Sequence, residues 1–341
     1  MRGSPSFPCS LPGRFTLDTL SSSRNAPDPV ALRRTAPLEA GVAVVLCAVL
    51  LFFAWKLPEF RSESNVRLIL KQSAQLAVVA TGMTLVIATG GIDISVGSLV
   101  GLCAMTLGWL SAMRGWPIEL ACMGAVGAGG LCGLCNGLLI TRGQLPPILV
   151  TLATFAMARA GASLFNEGGS ISDLPRGLNE TFDRTNFLSL PVLFWIGLLA
   201  LAGGAILLRC TTFGRQLLAL GGNRTAATLS GLPVQRTEAL VYTLSGTLAG
   251  FAAVLNTAYK ATATPDAGQF LELNAITAVV LGGTLITGGR ATVVGTGLGV
   301  LTISALLSGV RLSGWQDQVA WFLVGAALLL AVEVQKWRGR E

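Results

Sequence analysis

The sequence predicts an all-α, polytopic membrane protein with about ten transmembrane helices, some of them broken by glycine. Of its 341 residues, 52% are hydrophobic and only 12% are charged, whereas a soluble domain carries about 25% charged residues. Glycine is also frequent, at 42 residues. Glycines spaced four residues apart, as at Gly129, Gly133 and Gly137, allow the backbones of membrane helices to approach closely. These features predict a tightly packed helical bundle.

Apolar stretches that are long enough to span a membrane recur along the chain. A helix that crosses the hydrocarbon core needs about 20 predominantly apolar residues. The stretches within 72–113 and 273–310 are the shortest and the most often interrupted by glycine. The ten predicted spans are 40–57, 72–90, 94–113, 117–140, 146–165, 189–209, 238–258, 273–288, 292–310 and 316–335.

The positions of the basic residues predict the direction of the spans. The chain has 24 Lys+Arg against 17 Asp+Glu, scattered in the connections between spans, a distribution that does not predict nucleic-acid binding. Basic residues favour cytoplasmic connections, and ten spans with both termini in the cytoplasm satisfy this rule better than the inverse, although 58–71 departs from it. We predict a disordered cytoplasmic tail at 1–38, a transmembrane domain at 39–336 and a cytoplasmic tail at 337–341.

The composition excludes several classes of enzyme and cofactor site. The chain has no histidine, which rules out imidazole metal ligands, Ser-His-Asp triads and histidine general bases. Cys132 and Cys135 form an isolated C-x-x-C inside an apolar stretch, without the second ligand pair that a zinc site needs. No G-x-x-x-x-G-K-[ST] phosphate loop occurs. We therefore predict no metal, no cofactor, no enzymatic activity and no ATP bound by a phosphate loop of this chain.

Two segments share the pattern T-G-G, four residues, then V-G-[S/T]-x-x-G. They cover 89–101 and 287–299, at two breaks between predicted spans. The similarity fits either a duplicated element or chance in a glycine-rich chain. Paired glycine-interrupted segments at corresponding positions are where transporter folds build their pathway. The predicted helix breaks are Gly90, Gly91, Gly288 and Gly289.

The first of these segments also contains a carboxylate, Asp93, inside an apolar region. A carboxylate at membrane depth costs a few kcal/mol unless it is paired or hydrated. One interpretation is that Asp93 or Ser95 caps the amide end of the following helix. The other is that Asp93 or Ser95 lines the translocation pathway or helps to couple its gate. The two interpretations are compatible, because a capped break can act as a hinge.

Further polar residues lie inside predicted spans. Arg159 is well inside the fifth span, where it either snorkels outward, or pairs within the bundle or lines an aqueous cavity. Asn136, Thr151, Thr154 and Asn256 offer hydrogen bonds either to a hydroxylated solute or to neighbouring helices. The predicted pathway or gate residues are Asp93, Ser95, Asn136 and Arg159.

The longest predicted cytoplasmic connection is the loop 211–237. Asn223 is predicted to cap a short helix from Thr225 to Leu229, and Gly231 and Pro233 are predicted to end it. This helix, with its small Ala226-Ala227 face, either docks onto another protein or belongs to an ordinary connection. The residues that we assign to a coupling role in this loop are Gly214, Arg215, Gly221, Gly222, Asn223, Ala226, Ala227 and Gly231.

Long runs of the sequence resemble the inner-membrane permeases of ribose-type sugar ABC importers, a family that also includes xylose, galactofuranose and autoinducer-2 permeases. They are GMTLVIATGGIDISVGSLVG, TTFGRQLLALGGNRTAATLSGLPV and LNAITAVVLGGTLITGGRATVVGT. The resemblance implies import of a monosaccharide or small polyol across the bacterial inner membrane. It also implies a separate ATPase subunit that docks on a coupling helix in 211–237, a periplasmic sugar-binding protein, and a second permease copy or paralogue.

The chain departs from the family pattern in its long N-terminal tail and at Ala291, where glycine commonly follows T-G-G-R. The main alternative function is an ion-coupled secondary transporter or facilitator. Such a protein would need buried carboxylates as proton or Na⁺ sites, and Asp93 is the only clear candidate in the predicted membrane region. A membrane-embedded enzyme would need a catalytic constellation that the spans lack.

Overall fold

The computed structural model describes residues 38–172, 174–184 and 186–338. This part of the chain is almost entirely helical, which confirms the predicted all-α class. Nearly all of the predicted tail 1–38, and residues 339–341 of the predicted tail 337–341, lie outside the described residues. The helices are α1 (Leu38–Lys56), α2 (Glu63–Ala88), α3 (Val96–Gly108), α4 (Ile118–Thr141), α5 (Pro147–Leu164), α6 (Arg176–Asn179), α7 (Val192–Cys210), α8 (Thr212–Gly222), α9 (Arg224–Leu229), α10 (Val234–Lys260), α11 (Leu271–Leu281), α12 (Val293–Leu312) and α13 (Asp317–Arg338).

Short irregular elements supplement these helices. A 3₁₀ turn at Pro58–Arg61 precedes α2, and a π turn at Trp109–Met113 extends α3. In the connection between α5 and α7, α6 continues into a π turn at Glu180–Arg184. The strands β1 (Asn186–Phe187) and β2 (Leu190–Pro191) then pair antiparallel as a small hairpin.

Among the described residues, nine helices are long and apolar enough to cross a membrane, one fewer than predicted. The difference lies at the predicted span 273–288, where α11 has only 11 residues. The preceding residues, 261–270, are irregular and follow α3 from Gly108 down to Gly97, since Ala263 packs near Gly108 and Gly268 near Gly97. We call 261–270 the broken segment. The tenth crossing therefore consists of irregular backbone followed by a half-length helix, an arrangement that survives at membrane depth only when protein surrounds it.

Residues with a left-handed backbone conformation lie where the chain leaves or enters several of its helices. Gly90 has φ +82° just beyond the end of α2. Ala261, at φ 54°, ends α10, and Phe270, at φ 61°, precedes α11. Side chains with a Cβ rarely adopt this conformation; the ring of Phe270 packs on that of Trp321, whereas Ala261 is exposed.

Helices α2, α3, α10 and α12 form the centre of the bundle, and most of their residues are buried. Helices α1, α4, α5, α7 and α13 surround them and expose apolar side chains, as lipid contact requires. Gly129 and Gly133 of α4 pack directly on α10, since a methyl group on either would overlap the carbonyl oxygen of Gly246 or Tyr242. The predicted close approach at the four-residue glycine spacing is confirmed.

The bundle has two distinguishable ends. At one end, which we call the glycine-junction end, the breaks after α2 and α11 meet α8. The Glu39 carboxylate near the start of α1 accepts a hydrogen bond from Thr292 at this end (2.7 Å), and Gln335 of α13 donates to Val280 and Thr284 here. At the opposite end, which we call the cavity end, a polar cavity opens between α2, α10 and α12.

Candidate coupling and translocation sites

Asp93, Ser95 and Asn136 meet in one buried hydrogen-bond network. One carboxylate oxygen of Asp93, Oδ1, accepts from the backbone nitrogen of Ser95 (3.0 Å) and from its hydroxyl (2.6 Å). The other oxygen, Oδ2, accepts from the hydroxyl of Ser245 in α10 (2.9 Å). Asp93 is completely buried, so these hydrogen bonds replace the hydration that the carboxylate loses.

The network continues into α4 and α5. The side-chain amide of Asn136 donates to the Ser95 hydroxyl (3.1 Å), and Thr154 donates to the Asn136 amide oxygen (2.5 Å). The chain of contacts therefore fixes the break between α2 and α3 to three other helices. Sequence reasoning missed Ser245, because a lone serine in an apolar helix carries no signal of its own.

The predicted side-chain cap of α3 is not formed. Ser95 occupies the N-cap position, but its hydroxyl is hydrogen bonded to Asp93 and caps no helical amide. Asp93 in turn accepts the backbone amide of Ser95 itself. The carboxylate thus organises the turn before α3 rather than the first turn of the helix.

Arg159 lies apart from this network. Its guanidinium donates to the carbonyl oxygens of Pro265 (2.8 Å) and Ala267 (3.4 Å) in the broken segment. The half-buried side chain therefore satisfies backbone carbonyls that would be paired within a helix if 261–270 were helical. Arg159 was predicted to snorkel outward, to pair within the bundle or to line an aqueous cavity. The observed contacts fit pairing within the bundle, with backbone carbonyls as the partners.

Two of the four predicted helix-break glycines, Gly288 and Gly289, lie against α8 of the coupling loop and close to the break after α2. The amide of Gly289 donates to the carbonyl of Ala88 at the end of α2 (3.0 Å). A methyl group on Gly288 would lie 2.7 Å from the nitrogen of Gly90 and 3.0 Å from the Cα of Gly221. Gly91 packs against the ring of Tyr242, whose hydroxyl would overlap a methyl group there.

Gly221, near the end of α8, completes this contact. A methyl group on Gly221 would overlap the carbonyl oxygen of Ala88 and lie 2.5 Å from the nitrogen of Gly289. The two segments with the shared sequence pattern thus touch each other and the predicted coupling loop at one point. We call Ala88, Gly90, Gly221, Gly288 and Gly289 the glycine junction.

The loop 211–237 contains two helices where one was predicted. α8 begins at a cap in which the Thr211 hydroxyl accepts from the amide of Gly214 (3.1 Å). The predicted cap of the second helix, α9, is confirmed, since Asn223 Oδ1 accepts from the amide of Ala226 (2.9 Å). Gly231, at φ +76°, follows the end of α9 as predicted.

Ala226 and Ala227 do not share one face of α9. Ala227 is buried with Leu220 and Val234, whereas Ala226 is exposed. Consecutive residues in a helix point about 100° apart because a turn contains 3.6 residues. The exposed surface of α9 consists instead of Ala226 and its neighbours, including Leu229, which is 85% exposed.

An ion pair ties α9 to α10. Arg224 donates to both carboxylate oxygens of Glu238, at 2.9 and 2.8 Å. Glu238 is buried while Arg224 is more than half exposed. The hydrogen bonds to Glu238 raise the pKa of Arg224 above its ordinary value. This pair was absent from the predicted site, since nothing in the sequence shows that residues 14 apart meet across a turn.

The polar cavity at the cavity end has a volume of about 330 Å³. It lies between α2, α10, α12 and the broken segment. Asn256, named above as a source of hydrogen bonds, lines it, whereas the described residues Asp93, Ser95, Asn136 and Arg159 do not. Their assignment to the pathway therefore stays a prediction.

Sequence comparisons identify the family. A family model described as branched-chain amino acid transport system / permease component matches residues 65–332. The chain belongs to this permease family. Its members are transport permeases, so this permease is a multi-pass inner-membrane protein and not an enzyme.

Individual relatives of this permease are import permeases. It is 38% identical over 276 residues to the ribose import permease protein RbsC of Bacillus subtilis (strain 168), covering 81% of this chain and 85% of the relative. It is 32% identical to the fructose import permease protein FrcC of Rhizobium meliloti, with coverages of 89% and 86%. It is 37% identical to the autoinducer 2 import system permease protein LsrD of Escherichia coli (strain SMS-3-5 / SECEC), with coverages of 75% and 79%. No solved structure matches the chain.

Proposed function

We propose that this permease is the membrane-spanning subunit of an ABC importer for a monosaccharide or similar small polyol. The similarity to ribose and fructose import permeases over most of both chains carries this proposal. A separate ATPase subunit supplies the energy, a periplasmic binding protein delivers the solute, and a second permease copy or paralogue completes the transmembrane unit. The same similarity favours this function over an ion-coupled secondary transporter.

The glycine-junction end faces the cytoplasm in this proposal. The connections at this end contain Arg142, Arg215, Arg236 and Arg290, and basic residues concentrate on the cytoplasmic side of membrane proteins. The cavity end then faces the periplasm, where the binding protein delivers the solute. Both described ends of the chain lie at the cytoplasmic side in this orientation.

Docking of the ATPase on α8 and α9 is coupled to the pathway through the glycine junction. Gly221 of α8 contacts both helix breaks, so a displacement of α8 would move the end of α2 and the loop before α12 together. The break after α2 leads within a few residues to Asp93 and Ser95. Asp93, Ser95 and Asn136 therefore act at the gate, while Arg159 holds the broken segment.

The function is tested by reconstitution into liposomes with the ATPase and binding-protein candidates encoded in adjacent reading frames. Uptake of radiolabelled pentoses, hexoses and polyols should require ATP, the ATPase subunit and the binding protein. The permease alone should hydrolyse no ATP. Uptake by the permease alone, driven only by an ion gradient, would instead establish the secondary-transporter alternative.

A further inference from the structure

Three buried polar residues share one face of α10. Glu238, Tyr242 and Ser245 follow one another at intervals of four and three residues, so their side chains leave the helix on the same side. Glu238 binds Arg224 of the coupling loop. Ser245 donates to Asp93 at the break after α2. Tyr242 therefore lies on α10 between the ion pair of the coupling loop and the buried network at the helix break.

Tyr242 is the one residue of these three that forms no side-chain hydrogen bond. It has no exposed surface, and its hydroxyl oxygen, Oη, has no hydrogen-bond partner within the described part of the chain. A buried hydroxyl without a partner is unfavourable, because the hydrogen bonds that it made to water are not replaced. In this conformation, phenylalanine would fill the same space without that cost. The hydroxyl therefore contributes nothing to the stability of the conformation that the structure shows.

The backbone of the helix break leaves room for this hydroxyl at Gly91. A methyl group on Gly91 would overlap Tyr242 Oη, whereas the ring carbon that carries the hydroxyl, Cζ, would lie 3.5 Å from that methyl group. The second distance is an ordinary van der Waals contact. The absence of a side chain at Gly91 is thus required by the hydroxyl and not by the ring.

An acceptor for the hydroxyl lies two residues beyond Gly91. Asp93 and Glu238 are the carboxylates whose charges act on Tyr242. Both oxygens of Glu238 are bound to Arg224. Asp93 Oδ2, in contrast, accepts a single hydrogen bond, from Ser245, and a carboxylate oxygen has lone pairs for two. Asp93 Oδ2 is therefore the acceptor that can take the hydroxyl without giving up its present partner.

We propose that Tyr242 is a positioning residue of the transport cycle, whose hydroxyl is unpaired in this conformation and donates to Asp93 Oδ2 in the alternate one. A displacement of α8 moves the break after α2 through the glycine junction, and Gly91 and Asp93 belong to that break. Its movement along α10 brings Asp93 to the hydroxyl. The hydrogen bond gained there stabilises the alternate conformation and so shifts the population toward it. This inference rests on the proposed function, because it requires a transport cycle with two conformations.

Tyr242→Phe removes the hydroxyl alone and tests the proposal in the complete importer. We expect solute uptake into liposomes to fall about tenfold, as for the loss of one hydrogen bond to a charged group. The melting temperature of the purified permease should equal or exceed that of wild type, and co-purification with the ATPase should be unchanged. Thr257→Val is the matched control, because Thr257 also has a buried, unpaired hydroxyl on α10, about four helical turns beyond Tyr242. This control should keep wild-type uptake.

A double variant separates the hydrogen bond from packing at the helix break. Gly91→Ala should lower the melting temperature, because its methyl group overlaps Tyr242 Oη. Gly91→Ala/Tyr242→Phe should recover the melting temperature, since the overlapping atom is gone, but its uptake should stay as low as that of Tyr242→Phe.

Three results would overturn the proposal. Wild-type uptake by Tyr242→Phe, or by the refolded double variant, would show that transport does not use the hydroxyl. A melting temperature of Tyr242→Phe below that of wild type would show that the hydroxyl already stabilises this conformation. Both results leave the importer function intact. If the wild-type importer transports no solute, the proposed function fails and the inference with it.

Discussion

The backbone amide of Gly289 donates a hydrogen bond to the carbonyl of Ala88 across 3.0 Å, although the two residues lie in different helix breaks. The first break follows α2 and the second precedes α12. Gly221 of α8 packs on the same carbonyl so closely that no side chain fits there. The glycine junction is therefore a direct backbone contact between both breaks and the loop that is proposed to meet the ATPase.

Replacing Gly221 tests whether this contact couples the loop to transport. Gly221→Ala forces the methyl group against Ala88 and Gly289, and overpacking of this kind costs about 1–3 kcal/mol. We expect uptake to fall about tenfold or more, with a lower melting temperature. Gly203→Ala in α7 is the control, because Gly203 lies outside the coupling loop and a methyl group there meets no atom within 4 Å. Equal uptake by the two variants would contradict a coupling role for the junction.

Removing members of the Asp93 network should lower stability in a defined order. Asp93→Leu leaves the Ser95 amide and two hydroxyls without their acceptor, at about 1–3 kcal/mol for each buried group that stays unpaired. Ser245→Ala leaves only Asp93 Oδ2 without its donor and should cost about 1–3 kcal/mol once. Melting temperatures of the purified permease should therefore fall in the order wild type, Ser245→Ala, Asp93→Leu. A wild-type melting temperature for Asp93→Leu would show that the network does not support the fold.

The sequence indicated Asp93, Ser95 and Asn136 individually, because polar side chains inside apolar stretches must find partners, but it did not indicate that they bond to one another. It did not indicate the broken segment. Ala261 and Phe270 adopt left-handed conformations, and neither residue type favours that conformation, so the sequence does not show where the backbone turns. The partners of Arg159 were equally hidden, because backbone carbonyls have no sequence signature. The different faces of Ala226 and Ala227 could have been predicted from the sequence, because consecutive residues in a helix point about 100° apart.

Only a side chain that donates to both the Pro265 and the Ala267 carbonyl should hold the broken segment as Arg159 does. Arg159→Met keeps much of the apolar stem but leaves the Pro265 and Ala267 carbonyls unpaired, at a cost of about 1–3 kcal/mol for each carbonyl that water does not reach. Arg159→Lys retains the charge and one hydrogen bond and should be intermediate. Proteolysis of the permease in detergent, followed by mass spectrometry, should show increased cleavage in 261–270 for Arg159→Met. Unchanged cleavage there would mean that the guanidinium does not hold the broken segment.

Ala226 and Ala227 should respond differently to the same substitution. Ala226→Glu places a charge on the exposed face of α9 and should abolish co-purification with the ATPase while leaving the melting temperature unchanged. Ala227→Glu buries a carboxylate beside Leu220 and Val234 and should destabilise the loop itself. Ala226→Ser is the control, since it keeps a small side chain at the docking face. Normal co-purification of Ala226→Glu would exclude α9 as the docking surface.

The Arg224–Glu238 pair offers a test in which a second substitution should repair the first. Breaking a fully buried ion pair costs about 3–5 kcal/mol because one charge stays buried without a partner. Arg224 is 56% exposed, so solvent screens part of that cost, and the remaining Glu238, which is only 5% exposed, carries most of it. Arg224→Ala should therefore lower the melting temperature. The double variant Arg224→Ala/Glu238→Gln should recover most of the loss, since glutamine carries no charge. A double variant less stable than Arg224→Ala would show that Glu238 stabilises α10 independently of Arg224.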